Sequence, residues 1–155
     1  MATAGYTTGI KELLDGTITF SSATIKLMLI ASDTTYEYNP DHLYVDESGA
    51  ADPIDCELNC TGYDPGFSGT GRATLGSKTI TVDSTNNRVV IDAADPAAWT
   101  SLATGKTVVA AIIYNHVTSD AASRLLIYVD FTDTPTNGGS FTLNFHADGI
   151  LTVNM

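Results

Sequence analysis

The chain has 155 residues, 43% hydrophobic and 16% charged, which supplies enough apolar side chain for the core of one domain and too little charge for disorder. Seven Lys and Arg against eighteen Asp and Glu leave a formal charge of -11. That charge repels phosphate backbones and anionic lipid, so it argues against nucleic acid and membrane surfaces as partners.

In chain order, Thr7-Thr8-Gly9-Ile10-Lys11-Glu12-Leu13-Leu14-Asp15-Gly16 predicts a short helix. Thr7 or Thr8 caps its start, Ile10, Leu13 and Leu14 recur at helical spacing, and Gly16 stops it. The opening Met1-Ala2-Thr3-Ala4-Gly5 is small and flexible in composition, with neither the basic nor the apolar region of a secretory signal. Residues 23–31 read as a strand covered on both sides, Ile25, Leu27 and Leu29 on one face and Met28 and Ile30 on the other. Residues 32–72 hold Pro40, Pro53 and Pro65, five glycines and nine acids. They predict a long loop excursion, with one short helix near Asp41 to Glu47. Loops of this length are usually functional or mobile.

The second half is a series of β signals. Lys78 to Asp83 alternates with Ile80 and Val82 facing in, Ser84-Thr85-Asn86-Asn87 turns the chain, and Arg88 to Asp92 returns. Residues 95–102 predict a helical turn that plugs Trp99 into one end of the core. Thr107 to Asn115 is nearly all apolar and belongs in the middle of a sheet; its run Val108 to Tyr114 is far short of the ~20 residues that span a bilayer. Leu125, Ile127, Val129 and Phe131 alternate with Leu126, Tyr128 and Asp130. Last, Phe141 to Phe145 and Ile150 to Val153 flank Asp148-Gly149 as a hairpin. The expected fold is all-β, an antiparallel β-sandwich, jelly-roll-like, with one short N-terminal helix, forming a single domain over residues 1–155. Its expected core includes Ile25, Leu27, Ile80, Val82, Ile112, Ile127, Val129 and Leu143.

No constellation for chemistry emerges. Cys56 and Cys60 lack the second pair or histidines of a metal site and the two-residue gap of a redox motif, leaving incidental thiols or a local disulfide. His42, His116 and His146 are dispersed, and His42 in Asn39-Pro40-Asp41-His42 reads as part of a turn. Gly66-Phe67-Ser68-Gly69-Thr70 fails the nucleophile-elbow pattern, and Gly69-Thr70-Gly71 lacks the third glycine and the helix of a dinucleotide loop. The acids between Asp33 and Asp64 do not follow the spacing of an EF-hand and read as a solvated surface. Neither an enzyme, a metal nor a cofactor is expected.

Two groups of motifs carry a resemblance. The opening Ala4-Gly5-Tyr6-Thr7-Thr8-Gly9-Ile10-Lys11-Glu12-Leu13-Leu14-Asp15-Gly16-Thr17, then Thr24 to Ile30 and Asn39-Pro40-Asp41-His42, resembles the start of small virion proteins of tailed bacteriophages. Leu75 to Asp83, Asn87 to Asp92, Ala111 to Tyr114, Leu126 to Phe131 and Asp148 to Leu151 continue the likeness in the same order. The resemblance implies a capsid decoration (cement) protein on the exterior of the virion head, assembled in the host cytoplasm. Its implied partners are the major capsid protein and copies of itself, a trimer being favoured. Within an N-terminal arm, residues 1–16, Tyr6, Ile10, Leu13 and Leu14 would anchor it, unless the helix only caps one end of the sandwich. Met28, Leu126 and Ile150, on nominally outward strand positions, would add contacts between copies. A tail or baseplate component is the alternative. A carbohydrate-binding module, using Tyr36, Tyr38, Tyr44 and Tyr63 as an aromatic platform, is a weaker one.

Overall fold

Long apolar runs become the middle of the larger of two sheets. A computed structural model describes residues 2–33, 36–47 and 52–155. Among them are strands β1 (Ala2–Gly5), β2 (Ile25–Ala31), β3 (Ala73–Thr74), β4 (Thr79–Asp83), β5 (Arg88–Asp92), β6 (Thr107–Asn115), β7 (Arg124–Pro135) and β8 (Leu151–Asn154), with one α-helix, α1 (Thr7–Leu14). The five-stranded sheet has the order β1-β7-β6-β2-β3 and the three-stranded sheet the order β4-β5-β8, every pairing antiparallel. The protein is thus an all-β antiparallel sandwich with a short N-terminal helix.

The larger sheet is buried on both faces. Its inner face, with Leu27, Leu29, Ala111, Ile113, Ile127 and Val129, packs in one cluster with Ile91, Ile150 and Trp99. Its outer face, with Met28, Ile30, Ala110, Ile112, Tyr114 and Leu125, is covered by Val45, Ile54, Cys56, Tyr36 and Tyr38 from the excursion. The excursion is therefore a cover as much as a loop, and it explains why β2 is apolar on both sides. Met28, Leu126 and Ile150 are all buried within the monomer, so the expected contacts between copies through them are corrected.

Four other expectations change. Ala2–Gly5 is not a loose arm; it pairs with β7 from Ala2↔Asp130 to Gly5↔Ile127. Residues 41–47 form no helix; Tyr44 instead bridges Arg124, and Leu125 N donates to Leu43 O at 3.0 Å. Trp99 is buried as expected, but through an extended bridge to Phe141 and an indole N–H donated to Gly71 O at 2.6 Å rather than on a helical turn. Strand β8 pairs with β5, not with Phe141 to Phe145.

Core expectations hold at Ile25, Leu27, Ile112, Ile127, Val129 and Leu143 and fail at Ile80 and Val82, which are 46% and 78% exposed. Those two do point to the apolar side of their sheet. Directly opposed residues of an antiparallel pair share a face, and Ile80↔Ile91 and Val82↔Val89 put both valine and isoleucine in line with Val153. The hairpin simply runs past the end of the core.

The hairpin's tip is locally specified. Asp83 accepts from Asn86 N at 3.2 Å, Asn86 Nδ2 at 2.7 Å and Arg88 Nε at 2.8 Å, while Asn87 takes the left-handed conformation that closes the turn. The hydrogen bonds from Asn86, and then the Arg88 partner, hold the Asp83 carboxyl at about 2, below its ordinary 3.8. A lowered folded value means that the contribution is complete above 3.8 and is lost as pH falls toward 2. Amide exchange at Asn86 and Arg88 is expected to accelerate within that window while β6 amides stay protected, and an Asp83→Asn variant should lose the dependence.

Candidate docking surface

Helix α1 crosses β7 at very close range. Gly9 sits where a Cβ would lie 1.9 Å from Leu125 O, so glycine alone lets the helix backbone approach the strand. Tyr6 precedes the helix without a side-chain cap, although Thr7 lies next to it, because Tyr6 N donates to Leu126 O at 2.9 Å and Thr7 N to Pro40 O at 2.8 Å. The helix start is thus tied into β7 and the excursion at once.

The four residues named from the sequence separate by depth. Tyr6 is fully enclosed, its hydroxyl 2.6 Å from that of Tyr36 and its ring edge-on to Tyr38 at 5.3 Å. Leu13 is buried in the inner core, Ile10 is half-buried, and Leu14 is 74% exposed. Ile10, Leu13 and Leu14 form one wall of an apolar cleft whose other wall is Ile80, Val89 and Val153, with a volume near 220 Å³. Exposed Val82 and Met155 extend the apolar surface at this end of the sandwich. Sequence reasoning placed Ile80 and Val82 in the core rather than at this surface and missed Met155.

A polar cluster lies on the other side of the sheet. Arg72 is buried, and its five N–H groups all find acceptors. Nε and Nη2 bind Glu57 at 2.8 and 2.7 Å; Nη1 and Nη2 bind Asp120 at 2.5 and 3.2 Å; Nη1 also donates to Tyr114 Oη at 3.2 Å. Glu57 further accepts from Tyr63 Oη and from Gly66 N, each at 2.9 Å, and Tyr63 Oη accepts from Leu29 N at 3.1 Å. The cluster ties the excursion to β2 and β6. Burial, with Glu57 beside it, pushes the Tyr63 hydroxyl far above its ordinary value, which keeps it a neutral donor. A lone cation between Lys26 and Lys78, amid nine acids, was the sequence signal for this site.

The remaining candidates have structural duties. His42 N closes the Asn39 turn at 3.1 Å. His116 stacks on Phe67 at 4.4 Å, and burial, followed by the nearby Lys26 and Arg72, lowers its basicity. His146 Nδ1 accepts from Asp148 N at 3.1 Å. Cys56 is buried and Cys60 half-buried, and no disulfide joins them. Among the described residues no three His, Cys, Asp or Glu side chains converge as metal ligands. Of the four tyrosines of the excursion, Tyr63 is buried and Tyr36, Tyr38 and Tyr44 are half-buried; Tyr38 Oη donates to Gly5 O at 2.6 Å and Tyr44 Oη accepts from Arg124 at 3.0 Å. No helix among the described residues is long and apolar enough to cross a membrane. Comparison with known proteins finds no matching family model, no similar curated protein and no similar solved structure.

Proposed function

We propose that this chain is a structural virion protein that decorates the outside of a tailed-phage head, binding the major capsid protein and other copies of itself. The ordered resemblance of its motifs suggests the class. The geometric observation that supports it is the apolar cleft between α1 and the three-stranded sheet, bordered by the exposed Leu14, Val82 and Met155 on a chain of charge -11. On so acidic a molecule, apolar contact is the means by which attachment outweighs repulsion.

Leu14 carries the test better than Leu13, whose loss would damage the core. Leu14→Asp is expected to weaken attachment to undecorated heads by about 2 kcal/mol or more, the scale of an interface anchor. Its melting temperature should stay that of the parent protein. Unchanged occupancy would remove the cleft from the binding surface. Absence of the protein from purified heads, with labelled copies on tails in electron micrographs, would move it to the tail or baseplate.

A further inference from the structure

We infer that the free edge of β4 is a self-recognition edge, through which two copies join their three-stranded sheets into one six-stranded sheet about a two-fold axis. Hydrogen-bond parity sets which backbone groups of this hairpin face outward. Ile91 O accepts from Ile150 N and Asn87 O from Met155 N, both at or below 3.0 Å, so the odd-numbered residues of β5 point their backbone groups toward β8. Its even residues Arg88, Val90 and Asp92 therefore face β4, where they oppose Asp83, Thr81 and Thr79. That leaves the N–H and C=O of Ile80 and Val82 directed away from the sheet. Neither has a backbone partner on that side among the described residues, and β4 is one of the two terminal strands of its sheet.

Such an edge is an unprotected template for pairing. Sheet edges are commonly blunted by charge, proline or a bulge, and β4 has none of these between Thr79 and Val82. Its only charged residue, Asp83, is occupied by Arg88.

The occupant is specified by three features. First, antiparallel pairing of β4 with its own copy about Thr81 is self-complementary: Ile80 of each copy meets Val82 of the other as a hydrogen-bonded pair, using the four outward groups. Second, that register keeps Ile80 and Val82 of both copies on one face, so the apolar clefts join across the axis and the polar face remains polar. Third, Lys78, Asp83, Arg88 and Asp92 make the hairpin electrically neutral within a chain of -11. Two copies therefore meet through a segment that adds no net charge of its own to their mutual repulsion. The contact is a closed two-fold pair rather than the trimer that the phage resemblance implies, and it stands or falls in solution, independently of any capsid.

The register gives a specific test. Thr81 of the two copies would face each other as a non-hydrogen-bonded pair, the closest antiparallel position at about 4.5 Å between Cα atoms, within disulfide reach. In a Cys60→Ser background, Thr81→Cys should yield a covalent dimer under mild oxidation, whereas Thr79→Cys should not. Separately, Val82→Pro deletes an N–H that serves no bond within the monomer. It should lower the dimer fraction in sedimentation equilibrium at least tenfold while leaving the melting temperature of the monomer in place. A wild-type chain that stays monomeric at millimolar concentration would overturn the proposal. So would a dimer indifferent to Val82→Pro, or equal crosslinking at positions 79 and 81.

Discussion

Arg72→Met is expected to destabilise the protein by about 3–5 kcal/mol, the cost of removing one partner from a buried ionic cluster. Arg72 neutralises Glu57 and Asp120 together, and all three side chains are nearly sealed from water. Methionine fills similar volume, so little of the loss would come from a cavity. It would come from two carboxylates left facing each other without a cation. The rank order is informative. Glu57→Gln should cost more than Asp120→Asn, because Glu57 also receives Tyr63 and Gly66 whereas Asp120 receives Arg72 alone among the bonds described. Urea unfolding of the three variants at neutral pH measures this directly. A loss below about 1 kcal/mol for Arg72→Met, the scale of an exposed pair, would mean that the cluster is open to solvent.

Gly9→Ala provides a test of sign. By helix propensity alone, replacing glycine with alanine inside α1 should stabilise by roughly 0.8–1 kcal/mol. The structure predicts the opposite, because the new Cβ would stand 1.9 Å from Leu125 O and 3.1 Å from Leu126 Cα, both backbone atoms of a paired strand. The expected result is a loss of about 2 kcal/mol or more, in the range of overpacked interiors. Gly16→Ala is the control: no atom lies within 4 Å of its Cβ, and its φ of +79° makes the cost purely conformational. That cost should be about 1–2 kcal/mol. Thermal melts with near-ultraviolet circular dichroism would separate the two, since only Gly9→Ala should disturb the neighbouring Tyr6 and Tyr38 rings.

Much of the sandwich was readable from periodicity, and its failures have local causes. The apolar runs in β2 and β6 announced a sheet covered on both sides, although what covered the outer face was hidden. Tyr36, Tyr38 and Val45 lie in a segment whose prolines and acids look like exposed loop. The alternation assigned to β7 broke at its start because the register with β6 shifts between Ile113 and Tyr114. That irregularity leaves Leu125 on the outer face while Leu126 and Ile127 both pack inward. Asp148-Gly149 did mark a turn, yet turn chemistry does not name the partner strand, and β8 went to β5. Of the candidate surface, the helix was legible from Ile10, Leu13 and Leu14. Its depth was not, since helical spacing gives a face without saying which residue lies at its rim.

The pairing of β1 with β7 also governs how the chain must be assembled in time. The first strand of the sequence finds its partner more than a hundred residues later, at Ile127 to Asp130. During synthesis at about 5–20 residues per second, that segment would wait about 6–25 seconds for β7 to be made. The neighbouring β6–β7 hairpin closes over a short connection and can form first. β2 and β1 must then be recruited to its two sides across loops of many tens of residues. So non-local a topology belongs to the millisecond-to-second class of folding rates, far slower than helical bundles of equal length. Until β1 docks, the outer edge of β7 remains unpaired, and the emerging chain carries that adhesive strand edge in addition to the edge that β4 presents in the finished molecule.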